Sequence, residues 1–447
     1  MKRLRIIFII ISGVFFYTML ISALARNIYL NRDGVERWGV LGKSIHFIAE
    51  IPTLAKQSLA PLRYLIPNSE NKSKNEKELV YHVNILEINN YPDLLISYKG
   101  KKFGQKFDLI DLQTGNLIKR WEPDNKFLLE KGYNIENPLR PAKGSDLHFR
   151  HPLLDADSSL VITAELTSLI AKIDRNSELV WLTNDRRYHH SLEFDHEGNI
   201  YVCSRPFLSN KYDFMPKDYD NYKENLIDDA ITKIESDSGE VLFNKSIIEI
   251  LIENGYERLL ISKGQIISDP IHLNDIQPAL NNSEYWKIGD LLVSCRNLST
   301  VFLYRPSTNK ILWLKEGPWY NQHDADFLDG NKLVVFGNDV LREESVADVR
   351  IIQDNLFFSE KRSVNEIYVY NFENDTIVTP YTQLMKNEDI RTHTAGRSEV
   401  LQNGDVFVEE TTEGRIIFGD SVNKKIEYVK RIDDEHIARL FWTRLVY

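Results

Sequence analysis

Cysteine is almost absent: among 447 residues only Cys203 and Cys295 occur, each inside a strand-like run, Ile-Tyr-Val-Cys-Ser and Leu-Leu-Val-Ser-Cys. A disulfide scaffold is thereby excluded; two buried thiols are expected, with a single bridge between them the alternative in an oxidising compartment. No Cys-x-x-Cys or His-Glu-x-x-His spacing is present, so no metal motif can be read locally. An excess of basic residues is missing as well. Lys and Arg number 55 against 65 Asp and Glu, a formal net charge of −10, which argues against general nucleic-acid binding because few cations remain to displace counterions from phosphates. A small anionic ligand stays compatible if cations gather locally. Gly42-Lys43-Ser44 imitates the end of a phosphate-binding loop, but Arg37 stands where the loop's first glycine is required.

Long hydrophobic runs are confined to one place. Met-Lys-Arg-Leu-Arg is followed by residues 6–25 without a charge, long enough to cross a bilayer as one helix. Lys2, Arg3 and Arg5 would hold the tip, residues 1–5, in the cytoplasm, so that the rest is exported. Ala23-Leu24-Ala25 also fits a signal-peptide cleavage pattern, but the apolar core is long for that, and retention as an anchor is the expectation. Residues 26–79 read as a juxtamembrane helix, with Leu54, Leu59, Leu62 and Leu65 on one face, followed by a polar linker. A main domain over 80–435 and a C-terminal tail over 436–447 complete the division.

What the chain does have is aromatic, strand-forming material, 21 Tyr and 21 Phe, and a repeat. Asp111-Leu-Gln-Thr-Gly-Asn-Leu-Ile-Lys-Arg-Trp121 matches Ile173-Asp-Arg-Asn-Ser-Glu-Leu-Val-Trp181, and the segments ending at Leu242 and Trp313 repeat it. Each is a strand, a polar turn and a returning strand. A second element precedes these hairpins: Phe194-Asp-His-Glu-Gly-Asn-Ile-Tyr-Val, with counterparts starting at Phe327 and Val400. Together they give six units starting near residues 85, 147, 188, 269, 321 and 391. Repeated strands without intervening helices predict an all-β, six-bladed β-propeller with an N-terminal transmembrane helix. A large β-sandwich would explain the strands but not the repeat.

Histidine falls at one place in that repeat. His151, His189-His190, His272, His323 and His393 each open a unit, just before its first strand. The first strand of a propeller blade lines the central channel, so the repeat predicts imidazoles converging at one mouth. Asp324 and Asp326 stand near, and imidazole with carboxylate is a usual zinc or iron set, but ligands spread over blades leave no spacing to check, and no metal or cofactor is expected. His82, His196 and His436 lie off the pattern and read as structural.

These residues resemble a known family. His189-His190 opening a unit, Asp269-Pro-Ile-His272-Leu-Asn274-Asp, Gly289-Asp-Leu-Leu-Val-Ser-Cys-Arg296-Asn and Gln322-His323-Asp324-Ala together look like the bacterial arylsulfotransferases, over about residues 145–420. The resemblance implies a propeller enzyme that moves a sulfuryl group between phenols through a sulfated histidine, without a nucleotide donor. Carried over by motif, His323 would be the nucleophile, His272 and Asn274 the His-x-Asn pair, Arg296 the cation and His190 the remaining imidazole, with His189 and His393 as additional members. It further implies a small anionic aryl sulfate donor and a phenolic or carbohydrate acceptor; the N-terminal run, with its basic tip, separately places the anchor in the inner membrane and the domain in the periplasm. In the N-terminal third the sequence departs from the soluble members, which leaves donor and acceptor less defined than the chemistry. The other class of reading is a non-catalytic, membrane-tethered propeller scaffold; a quinone-dependent redox propeller is a third, and no residue pattern calls for it.

Overall fold

The computed structural model describes residues 64–447 except 74, 76, 83–90, 101–103, 135–146, 165–166, 208–209, 211, 215–225, 262–266, 341, 345–348 and 352–363, together with residues 39, 40 and 44. The segment expected to cross the membrane lies outside the described residues. Among the described residues no helix is long and apolar enough to cross a membrane.

The repeated hairpins fold as their turns dictate. Gly239, at φ 75°, closes one outer hairpin, and a Cβ there would sit 2.6 Å from the Trp181 ring, so only glycine serves both the left-handed turn and the close approach. Trp181 in turn donates from Nε1 to the Ser236 carbonyl of the next blade at 2.9 Å, and Trp121 does the same to Ser158 at 3.2 Å. These two outer-strand tryptophans are therefore ties between neighbouring blades.

Six antiparallel sheets result, arranged as blades. The second runs Phe149–Leu154, Leu160–Ala164, Ile170–Ile173, Leu179–Thr183, and the third Arg187–Phe194, Ile200–Arg205, Ala230–Ile234, Val241–Ser246. The fourth is Leu273–Pro278, Leu291–Cys295, Thr300–Arg305, Lys310–Glu316, and the fifth is Asp324–Phe327, Lys332–Gly337, Glu366–Asn371, Thr376–Val378. The sixth comprises Arg397–Val400, Val406–Glu410, Arg415–Gly419 and Lys424–Val429, with Leu79–Tyr81 added at its outer edge. The all-β, six-bladed expectation is met. Apolar clusters fill the gaps between blades: Leu95, Phe107 and Trp121 of the first pack with Phe149, Leu160 and Ile162 of the second. Cys203 and Cys295 are buried free thiols in adjacent blades, not a bridge.

The first blade is where the structure differs from the reading of the chain's end. Its inner strand is Arg444–Val446, paired with Asp93–Lys99, which is followed by Gln105–Ile110 and Leu117–Trp121. Residues 436–447 are thus not a tail: they close the ring by giving the first blade its channel-lining strand, and His436–Ala438 pairs with Leu65–Pro67. Leu65, expected on a helical face, is in a strand, and Lys72 of the expected linker bonds the buried Glu410 carboxylate at 3.1 Å.

Candidate functional site

A left-handed residue marks the entry to every inner strand. His151, His190, His272, Asn321, Ala395 and Trp442 have φ between 50 and 58°, one per blade, a conformation that costs a residue with a Cβ about 1–3 kcal/mol. In two blades the pairing slips at that residue, between Arg150 and Leu153 and between His189 and Leu192; in the fourth it slips just after it, between Leu273 and Asp275. A bulge frees one residue from the ladder and re-aims its side chain. Here His151 and His190 are among the freed residues, and in the fourth blade it is Asn274, beside His272; the three histidines meet.

His190 is the hub. Its ring centroid lies 5.7 Å from His151, 5.0 Å from His189, 5.4 Å from His272 and 6.3 Å from His323. Five of the histidines singled out in the sequence therefore form one cluster, drawn from four blades. His393 is on the sixth blade, its backbone N–H bonded to Thr412 Oγ1 at 3.2 Å, and the adjoining Thr394 hydroxyl is 3.5 Å from His323 Nε2. Arg296 is buried beside His272, whose carbonyl accepts its backbone N–H at 3.0 Å. Asn274 is buried and donates from Nδ2 to the Gln322 carbonyl at 3.1 Å, linking the fourth blade to the residue before His323.

Hydrogen-bond partners fix which nitrogen each ring offers. Asp269 Oδ2 takes the Nδ1–H of His272 at 2.5 Å. Asp229 Oδ1 faces His189 Nε2 at 3.2 Å, so the remaining His189 nitrogen, Nδ1, accepts from His190 Nδ1–H at 2.7 Å. In both His190 and His272 the lone pair is left on Nε2. Burial pushes the pKa of His190 well below the ordinary imidazole range, helped by His189 and His272; burial and then Arg296 do the same to His272. Burial and Arg444 act likewise on His151. Burial works to raise the Asp229 carboxyl, but Arg205, at 2.5 Å, and His189 outweigh it and hold it well below its usual value. The cluster is a set of neutral bases flanked by arginines, suited to meet an anion.

Asp229, Asp269, Trp442 and Thr394 were not legible as site residues. Trp442 stacks on His151 with centroids 4.3 Å apart, and it arrives from the closing segment. Asp269 stood inside the Asp-Pro-Ile-His motif, where its offset of three from His272 was the available signal.

Below the histidines, Asp275, Asp324 and Asp326 bring oxygens within 4.8 Å of one another. Among the described residues this is an all-oxygen group without imidazole, of the kind a hard cation takes, unlike the mixed set considered from sequence. Two of these carboxylates also lace blades, Asp275 Oδ2 accepting from Ala325 N at 3.1 Å and Asp324 Oδ2 from Ser398 N at 2.9 Å. Burial raises Asp324 to about 8 despite Arg397, whose Nε is 4.0 Å away. A cavity of about 470 Å³ lies against this level, lined by Glu193, Asp326, Arg397, Glu399, Arg444 and Tyr447 among others.

Comparison with solved structures gives distant likenesses. A protein of unknown function from Bacteroides caccae is 14% identical with a TM-score of 0.44, covering 78% of this chain and 98% of its own. Hydrazine synthase from Kuenenia stuttgartiensis is 8% identical at a TM-score of 0.41, covering 76% of this chain and 79% of its own. No curated protein matches. The family model described as arylsulfotransferase (ASST), in contrast, matches residues 151–431, from the first histidine of the cluster through the sixth blade. With more than half of its length matched and the clustered histidines and Arg296 inside the matched span, the chain belongs to the arylsulfotransferase family.

Proposed function

We propose that the protein transfers a sulfuryl group from an aryl sulfate ester to a phenolic or carbohydrate acceptor through a sulfo-histidine at His323, without a nucleotide donor. The observation that carries this is the convergence of His190, His272 and His323 with Arg296 at one channel mouth: His190 stands 5.4 Å from His272 and 6.3 Å from His323, ring to ring. In the first half-reaction an imidazole nitrogen of His323 forms the N–S bond as the S–O bond to the phenol breaks. The departing phenolate takes its proton from an imidazolium. Burial favours neutral His190 before substrate binds, and the negative charge of a bound sulfate ester offsets that, so proton uptake accompanies binding. In the second half-reaction the neutral Nε2 of His190 removes the acceptor's proton while its oxygen takes the sulfuryl group from His323.

Arg296, and the second N–H of the Asn274 amide, are the groups that would meet the sulfuryl oxygens. Arg296→Ala is expected to slow transfer by about 10²–10³-fold, the usual cost of one preorganised electrostatic partner, while slow covalent labelling persists. Single-turnover labelling of that variant checks it. For the mechanism as a whole the test is intact-protein mass after incubation with a chromogenic aryl sulfate and no acceptor: a gain of one sulfuryl group supports it, and no gain together with no turnover returns the reading to a ligand-binding scaffold.

The place of action is part of the same proposal. Residues 6–25 anchor the chain in the bacterial inner membrane, with the basic tip inside and the propeller in the periplasm. A reporter that works only outside the cytoplasm, fused after the exposed Tyr447, is expected to be active; cytoplasmic activity would overturn the placement.

A further inference from the structure

We infer that Asn338 is a positioning residue that holds His323 with its proton on Nδ1 and its lone pair on Nε2. The inference rests on the reading of His323 as the nucleophile, and it adds which atom attacks and what prepares it.

His323 Nδ1 lies 2.6 Å from Asn338 Oδ1 and 3.2 Å from the Asn321 carbonyl. A carbonyl oxygen only accepts, so Nδ1 must donate to it. The orientation of the Asn338 amide agrees. Its Nδ2 donates to two further carbonyls, Thr392 at 3.1 Å and Ala395 at 2.8 Å. Flipping the amide would set its oxygen against both and its NH2 against the imidazole, so Oδ1 is the atom that faces His323. A neutral imidazole with Nδ1–H carries its lone pair on Nε2, the nitrogen 3.5 Å from the Thr394 hydroxyl.

The amide is itself locked. Asn338 follows the second strand of the fifth blade, while Thr392 and Ala395 lead into the sixth, so the side chain is wedged between blades. Asn365 braces the same junction: its Oδ1 accepts from Thr392 N at 2.6 Å and its Nδ2 donates to Thr392 O at 3.1 Å. Asn338, Asn365 and Thr392 are all buried. Such a network fixes the ring before substrate arrives. It also acts during transfer. Once Nε2 bonds to sulfur the ring becomes cationic, and the Nδ1–H···Oδ1 bond strengthens as that charge develops. The same arrangement, proton on Nδ1 and lone pair on Nε2, is imposed on His272 by Asp269 and on His190 by His189. His323 alone receives it from a neutral amide, which sets the tautomer without adding a negative charge that would favour the protonated, non-nucleophilic ring.

The test uses the full chain with 15N-labelled histidine. NMR of the wild type above the titration range should show His323 with protonated Nδ1 and unprotonated Nε2. Asn338→Leu should mix the tautomers and lower the labelling rate about tenfold or more at unchanged donor KM, the scale of lost support for a reacting imidazole. Asn338→Asp keeps the acceptor but adds charge, so labelling should survive at high pH while the acidic limb of its pH profile moves upward by about one unit. A wild-type His323 with its proton on Nε2 would overturn the inference, and so would an Asn338→Asp profile whose acidic limb stays in place. If Asn338→Leu fails to fold, the Asn338→Asp profile and the wild-type tautomer still decide. If the tautomer responds as stated but the wild type never gains a sulfuryl group, the nucleophile reading fails while the positioning role stands.

Discussion

His323→Asn is expected to abolish both turnover and the covalent gain of a sulfuryl group. An amide nitrogen has no available lone pair for attack on sulfur, so the loss is of the nucleophile itself and not of one stabilising contact among several. The substitution is also mild for the fold, because an asparagine amide can still donate toward Asn338 Oδ1 and the Asn321 carbonyl, the two acceptors that hold the wild-type ring. A silent variant that melts like the wild type would therefore report chemistry. His190→Asn is expected to retain slow labelling from a nitrophenyl donor, whose phenolate leaves without a proton, while losing transfer to a phenol that must be deprotonated. His436→Asn, whose ring pairs with Asp433 at 3.1 Å outside the histidine cluster, serves as the unaffected control. Persistent labelling in His323→Asn with loss in His272→Asn or His190→Asn would move the nucleophile to another blade. Undiminished transfer in all three would end the reading of these histidines as the reacting groups and return the protein to a ligand-binding scaffold.

What could be read in the sequence was local. The Asp-x-x-x-Gly and Asp-x-x-Gly turns, the alternation that follows them and the histidines before each first strand lie within single units, and they placed the blades close to where they begin. The site histidines came with them, because a propeller turns a repeated position into a ring. The supports did not. Asp229 reaches His189 from the strand junction of the same blade, and Asn338 reaches His323 from the far end of the second strand, positions the repeat does not mark. Nor does a left-handed φ show in a histidine as it would in a glycine; the strain at His151, His190 and His272 has no residue-type signature. Asn274 was expected as a partner of the transferring group, and its bond to the Gln322 carbonyl depends on which blades become neighbours. Closure was the least visible feature. Leu445 pairs with Leu94 across almost the whole chain, and a three-residue strand at a terminus looks like any frayed end.

Deleting residues 436–447 is accordingly expected to prevent folding, not to trim a tail. Ile437, Leu440, Phe441 and Trp442 are buried, and at about 1.5–3 kcal/mol for each apolar side chain the loss is about 6–12 kcal/mol, the size of a typical domain's whole stability. Polar consequences add to it. The Glu409 carboxylate is fully buried and accepts from Trp442 N at 3.0 Å and Thr443 N at 2.6 Å, so truncation strips a buried charge of both backbone donors. Arg444, which reaches across the channel to Glu193 and the Leu192 carbonyl, goes as well. What remains is an open ring whose first blade exposes the bare edge of Asp93–Lys99, a template for pairing with other chains. Aggregation on expression, or rapid proteolysis with loss of the cooperative melt, is the expected measurement. Removing only Arg444–Tyr447 leaves Trp442 stacked on His151 and the Glu409 donors in place, so that shorter truncation should fold more often yet melt many degrees lower. A chain lacking residues 436–447 that melts at the wild-type temperature would show that ring closure contributes little, and the histidine cluster, which depends on Trp442 for one of its walls, would then have to be held from the other blades alone.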